Sequence, residues 1–130
     1  MIFEHFAINV KNPREVRDWY CEHLGLKVVW EKKEHPFMMF LADSSGRVVC
    51  ELYYRPEFEM TDFSKQHQLV FHFAFESENT EEDKNRLLAA GASFVEEMKK
   101  EDGTHIAMLR DPWGMPLQLC QRAEKLNKNF

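Results

Sequence analysis

Cysteine is scarce in this chain of 130 residues: Cys21, Cys50 and Cys120 are odd in number and form no CxxC pair. They read as reduced thiols in a cytoplasmic protein, and the missing CxxC argues against cysteine-bound zinc. No apolar run is long enough to span a bilayer, and the N-terminus lacks the basic, apolar and small-residue order of a signal peptide. Low-complexity tracts are missing too, and with 44% apolar and 13% aromatic residues the composition excludes a disordered chain. A net charge of −5, with acidic and basic residues interspersed, points to no nucleic-acid or membrane partner. The length predicts a single domain over 1–130 that buries a real core.

What the chain does contain is a repeat. His5-Phe6-Ala7-Ile8-Asn9-Val10 returns 67 residues later as His72-Phe73-Ala74-Phe75-Glu76-Ser77. Asn12 is matched by Asn79, and Lys32-Lys33-Glu34 by Lys99-Lys100-Glu101. A polar pair keeps the same offset: Glu51 and Gln118 each lie 46 residues after their histidine. Two copies of one unit, each carrying a His and a Glu or Gln on apolar strands, predict a two-fold-related site able to hold a metal.

The first copy, 1–54, reads β-α-β-β-β. Ile2 to Val10 is a predicted strand, and Asn12-Pro13-Arg14-Glu15 carries a capping Asn, a first-turn Pro and a capping-box Glu. Val16, Trp19, Tyr20, His23 and Leu24 follow at helical spacing, and Gly25 supplies the stop. Lys27–Glu34, Phe37–Ala42 and Arg47–Tyr54 are the next strands, the last two joined by a turn at Asp43-Ser44-Ser45-Gly46. The second copy, 68–122, repeats the order, with Leu69–Glu76 as its first strand. A helix capped by Asn79 runs to Gly91 with a thinner apolar face, and Ser93–Lys99, His105–Arg110 and Pro116–Arg122 follow as strands. Asp111-Pro112-Trp113-Gly114 has the composition of a type I turn. Residues 55–67 form a polar linker, and Ala123–Phe130 is expected to lie outside the core.

Alternation along a strand assigns the faces. Phe6, Ile8 and Val10 oppose Phe3, His5 and Ala7; Phe71, Phe73 and Phe75 oppose Val70, His72 and Ala74. The large apolar set is expected under the helix, which leaves each histidine on the other face beside a small alanine. Cys50, Leu52, Leu117 and Leu119 fall on the helix side, so Glu51 and Gln118 share the open face. Two imidazoles, a carboxylate and an amide oxygen suit a divalent Zn, Ni, Co, Mn or Fe ion. Such an ion stabilises an enolate or alkoxide oxygen and eases loss of a proton from the neighbouring carbon.

This pattern resembles the vicinal oxygen chelate superfamily, which includes glyoxalase I, methylmalonyl-CoA epimerase, extradiol dioxygenases and the bleomycin-resistance proteins. The resemblance runs from His5 to about Gln121. Trp19-Tyr20 through Leu24-Gly25-Leu26 is similar to the family's FYxxxLGx helix end, and Asp111-Pro112-Trp113-Gly114-Met115-Pro116-Leu117-Gln118-Leu119 to its DPxGxxxEL signature. The resemblance implies an α+β fold: two βαβββ modules forming a half-closed mixed β barrel around a cleft. It also implies a metal held by His5, Glu51, His72 and Gln118, and a lyase or isomerase reaction in which a proton is taken from carbon next to a chelated carbonyl. One departure bears on that chemistry. Where the signature carries Glu this chain has Gln118, which cannot act as a base, so Glu51 is the catalytic proton acceptor the set offers.

Two alternatives use the same residues: a metal-free small-molecule binding or resistance protein of the bleomycin-resistance type, and an Fe(II) extradiol-type dioxygenase. In each case the partner is a small molecule, with Phe3, Ala7, Tyr53, Ala74, Trp113 and Cys120 as candidate cleft walls. Phe40, Met38 and Met108 are further candidates. No glutathione, CoA or phosphate-binding signature stands out. A homodimer is expected, because small cupped sheets commonly complete their core or cleft with a partner. His23, His35, His67 and His105 read as surface residues, and the charge runs Glu31–Glu34 and Glu96–Glu101 as solvated.

Overall fold

A computed structural model describes residues 1–128. Of the expected C-terminal tail, residues 129 and 130 lie outside the described residues. The described residues form two compact units, the first Met1–Thr61 and the second beginning at Asp62. Each has the order β-α-β-β-β, so the fold is α+β with two four-stranded mixed sheets.

The first unit comprises β1 (Phe6–Asn9), α1 (Pro13–Leu24), β2 (Lys27–Glu31), β3 (Met39–Ala42) and β4 (Val48–Tyr53). Its sheet order is β1-β4-β3-β2, with β1 parallel to β4 and the other pairs antiparallel. Asn12 caps α1, its Oδ1 accepting from the Glu15 N–H at 3.3 Å, an arrangement worth about 1 kcal/mol. Gly25 ends the helix at φ 70°, a left-handed conformation that suits glycine. Val16, Trp19 and Tyr20 form the buried stripe of α1, and Met39, Leu41, Cys50 and Leu52 supply the sheet's buried side.

The second unit opens with a 3₁₀ turn at Phe63–Lys65, a piece of structure inside the stretch read as linker. Then come β5 (Phe73–Glu76), α2 (Thr80–Ala89), β6 (Ser93–Lys99), β7 (His105–Arg110) and β8 (Pro116–Gln121), in the order β5-β8-β7-β6. Arg110 ties the 3₁₀ turn to the 111–114 turn: its guanidinium donates to the carbonyls of Phe63, Gly114 and Gln66 at 2.8, 2.9 and 2.7 Å. Leu87, Leu109 and Leu117 are fully buried between α2 and the sheet.

The strands are shorter than their apolar patterns. β1 starts at Phe6 rather than Ile2 because its pairing with β4 begins at Phe6↔Cys50. β5 starts at Phe73 rather than Leu69 because residues 68–70 turn, with the Val70 N–H on the His67 carbonyl. Both histidines of the repeat therefore stand immediately before their strands. Lys27–Glu34 and Phe37–Ala42 are trimmed by a turn in which the Phe37 N–H reaches the Glu34 carbonyl at 2.8 Å.

His105 is not the surface residue expected. It is 7% exposed, because β7 is an inner strand and alternation turns His105 to the α2 side with Ala107 and Leu109. Its Nε2 lies 2.6 Å from Glu97 Oε2, and Lys84 of α2 bonds the same carboxylate at 3.1 Å. The charge run on β6 stays exposed as expected, and its Glu97 pairs at the rim with the buried Lys84 and His105, an ion network that stands in for the apolar face that α2 lacks.

Candidate metal centre

One transverse row of residues defines the open face of each sheet. In the first unit, register aligns Trp30, Phe40, Glu51 and Ala7 across β2, β3, β4 and β1. In the second it aligns Glu96, Met108, Gln118 and Ala74 across β6, β7, β8 and β5. Both rows depend on a β-bulge in the outer strand, between Val28 and Trp30 and again between Phe94 and Glu96. Each extra residue shifts the strand's facing by one, bringing Trp30 and Glu96 onto the open face.

Glu51 stands beside His5 in the first unit: His5 Nε2 is 3.7 Å from Glu51 Oε2. The other ring nitrogen, Nδ1, lies 2.9 Å from Glu4 Oε1. A carboxylate accepts only, so this contact places the proton of a neutral His5 on Nδ1 and turns the Nε2 lone pair toward Glu51. The His5 ring meets Phe40 edge-on at 5.1 Å.

His72 repeats the device with a different acceptor. Its Nδ1 lies 3.1 Å from the Gln68 carbonyl oxygen, again fixing the proton on Nδ1 and leaving Nε2 free to ligate. Gln68 is held in turn, its side-chain amide donating to Glu96 Oε1 at 3.1 Å. Gln118 pairs with Ala74 on β5, and its Oε1 accepts from the Cys120 thiol at 3.3 Å. Burial, partly offset by Arg122, pushes the Cys120 thiol above its ordinary pKa, which makes it a poor nucleophile.

Within the first unit, His5 and Glu51 have the chemistry and spacing of two ligands of a divalent ion. Nitrogen and oxygen ligands at ordinary bond lengths around one tetrahedral ion are separated by about 3.4 Å, close to the His5–Glu51 spacing. A histidine whose second nitrogen is bonded to a carboxylate or a carbonyl is the usual form of a metal-ligating imidazole. A different group also brings three ligand residues together: atoms of Glu81, Glu97 and His105 lie within 4.8 Å of one another. There the Lys84 ammonium already bonds Glu81 at 3.0 Å and Glu97 at 3.1 Å, so the charge is balanced from within.

The expected wall residues are placed as follows. Ala7 and Ala74 occupy the open rows, both exposed, and Tyr53 is half-buried at the end of β4. Ala74 and Cys120 line an open cavity of about 180 Å³ in the second unit, with Arg122, Lys125 and Leu126 of the C-terminal segment also in its lining. Lys125 is latched to Glu78 at 2.7 Å there. Phe3 is exposed with the Arg47 guanidinium 5.9 Å from its ring centroid, and Trp113 sits 41% exposed on the 111–114 turn. Trp30 was not among the expected walls. Only the bulge brings it to the open face, and nothing in the alternation of Lys27–Glu31 announces an extra residue.

The chain belongs to the Glyoxalase/Bleomycin resistance protein/Dioxygenase superfamily, whose family model matches residues 2–119. No curated protein matches it. Among solved structures it is similar to a glyoxalase family protein from Enterococcus faecalis, at 25% identity and TM-score 0.69, covering 92% of this chain and 97% of that one. It also shares the fold of a lactoylglutathione lyase from Agrobacterium tumefaciens, at 18% identity and TM-score 0.64, covering 92% of each chain. A third is TnmS3, an antibiotic binding protein from Streptomyces sp. CB03234, at 16% identity and TM-score 0.66, covering 93% of this chain and 95% of that one.

Proposed function

We propose that this protein is a metal-dependent lyase or isomerase of the glyoxalase I or epimerase type, with His5, Glu51, His72 and Gln118 as the ligand set. The observation that carries the proposal is the matched orientation of the two histidines. Each has Nδ1 committed to an oxygen acceptor, which leaves Nε2 as a free lone pair. A core histidine kept only for packing has no need of that arrangement twice, at equivalent positions.

A bound Zn, Ni, Co, Mn or Fe ion would supply Lewis acidity, lowering the pKa of carbon next to a chelated carbonyl. The chain supplies the rest. Glu51, with 14% of its side chain exposed, is a carboxylate close to His5 and is the proton acceptor of the set. Gln118 can orient an oxygen or a water but can take no proton. Ala7 and Ala74 leave space above the open rows for a small molecule. The proposal includes a cytoplasmic homodimer, supported by three free thiols and by exposed apolar side chains such as Val29 and Val70.

The test is metal content per chain by elemental mass spectrometry on untagged protein purified without chelator, beside a His5→Ala/His72→Ala double variant. Near-stoichiometric metal lost in the variant supports the proposal, and iron with oxygen consumption on catechols would redirect it to dioxygenase chemistry. No metal after soaking in excess Ni²⁺ or Zn²⁺ would refute it. The second reading is then favoured: a metal-free binding protein. The aromatic row of the first unit and the fold shared with an antibiotic binding protein support that alternative.

A further inference from the structure

We infer that Glu96 is a positioning residue for His72: through Gln68 it holds the peptide group that decides which nitrogen of the His72 imidazole is free. This role deepens the proposed ligand set and rests on that reading only for the use to which the free nitrogen is put. His5 and His72 occupy equivalent places in the repeat but take their acceptors differently. His5 Nδ1 meets the adjacent Glu4 side chain at 2.9 Å, whereas His72 Nδ1 meets the Gln68 carbonyl, four residues back, at 3.1 Å. The counterpart of Gln68 in the first copy is Met1, which is exposed. A backbone acceptor is only as fixed as the peptide that carries it, here the one joining Gln68 to Leu69.

That peptide is bonded at both ends. Its carbonyl accepts from the His72 ring, and its N–H donates to His67 Nδ1 at 3.1 Å. The outer side chains of the turn do not anchor it by burial, since Leu69 is 71% exposed and Val70 65%. Gln68 is the exception at 8%, and its side-chain amide donates to Glu96 Oε1 at 3.1 Å. A bond to a carboxylate is roughly twice as strong as one between neutral groups. Glu96 is available because the bulge between Phe94 and Glu96 turns it onto the open row, two places from Gln118. β5 and β6 are the two edges of this sheet, so the bond ties the approach to β5 to the opposite edge. Without it the peptide can rotate, and the His72 Nδ1–H loses its acceptor. A neutral imidazole in water prefers its proton on Nε2, so a released ring protonates the nitrogen that a metal needs bare.

The test is the ¹⁵N signature of the His72 ring, read by long-range ¹H–¹⁵N correlation on the full chain labelled with ¹⁵N-histidine. The protein is chelator-treated and held at about pH 9, above the ordinary imidazole range. The His72 signal is the one missing from His72→Gln. In wild type the expected pattern is a protonated Nδ1 and a bare Nε2. Glu96→Ala should move the ring toward the Nε2–H pattern, and so should Gln68→Met, which keeps the buried volume. Glu96→Gln, whose amide oxygen still accepts from Gln68, should keep the proton on Nδ1. Zn²⁺ affinity, by competition with a chromophoric chelator, should fall roughly 10-fold in Glu96→Ala and recover in Glu96→Gln. A wild-type ring protonated on Nε2, an unchanged pattern in both Glu96→Ala and Gln68→Met, or equal loss in Glu96→Ala and Glu96→Gln would each overturn the role of Glu96. Amide dispersion in the same samples confirms folding. The tautomer readout needs no metal. A Glu96-dependent tautomer in a chain that binds no ion upholds the positioning role while the metal proposal fails, and stoichiometric metal on a ring indifferent to Glu96 does the reverse.

Discussion

Removing the Glu4 carboxylate should weaken metal binding without removing a ligand. Glu4 Oε1 lies 2.9 Å from His5 Nδ1 and fixes the imidazole so that Nε2 is free. In Glu4→Ala nothing on the chain holds that proton, and the ring can exchange tautomer or rotate. Loss of such a supporting group typically costs 10- to 100-fold in metal affinity. The Glu4 side chain is 79% exposed, so water partly replaces it and the lower end applies. We expect about a 10-fold rise in the dissociation constant, or about 1.4 kcal/mol. Glu4→Gln, whose amide oxygen still accepts the N–H, should recover most of the loss. His5→Ala removes a ligand and should cost considerably more. The assay is competition of Zn²⁺ or Ni²⁺ against a chromophoric chelator at fixed pH. Equal affinities for wild type and Glu4→Ala, alongside a large loss in His5→Ala, would refute the orientation argument.

Three further outcomes follow from other parts of the molecule. Gly114→Ala forces φ +87° on a residue with a side chain and places a Cβ 2.4 Å from Ser64 Cβ. It should cost about 3 kcal/mol and lower Tm by roughly 10 °C in a thermal melt, and an unchanged Tm would show that this contact does not constrain the turn. Glu97 is held below its ordinary pKa of 4.5, first by His105 and then by Lys84, while Lys84 is held above 10.5 by Glu81 and Glu97. Stability from the depressed carboxyl is present above pH 4.5 and lost as pH falls through the folded value; that from the raised ammonium is lost as pH rises past 10.5. Glu97→Gln should therefore flatten the acid limb of urea-midpoint against pH, and an identical acid limb would contradict the network. Burial pushes the Cys50 thiol up to about 12, leaving about one part in ten thousand as thiolate at pH 8. Cys50 should react with Ellman's reagent only on unfolding, as judged against Cys50→Ser, and a fast reaction in native protein would contradict its burial.

Much of this protein was legible in the chain because its signals are local or repeated. Asn12 and Asn79 cap their helices, Gly25 ends α1 in the left-handed region, and Asp111 to Gly114 make a hydrogen-bonded turn. These features depend on a few neighbouring residues, so a reading of spacing recovers them. Period-two alternation also put Glu51 on the face of Ala7 and Gln118 on that of Ala74, and the strand register then pairs them directly. The superfamily was likewise visible in the duplicated histidines and in the Asp111–Leu119 segment.

Tertiary structure decided what depends on partners distant in the chain. Strand ends are set by pairing, so both histidines fall just outside strands that their apolar pattern had extended over them. Two bulges, invisible to alternation, brought Trp30 and Glu96 onto the open rows. His105 is internal because an inner strand faces a helix that offers Lys84 in place of an apolar residue. The orientation of His5 and His72 rests on Glu4 and on the Gln68 carbonyl, and the second exists only once residues 68–70 turn. Composition and spacing specify which groups are available; the hydrogen-bond partner of each nitrogen, and hence which lone pair is free, is a property of the folded backbone.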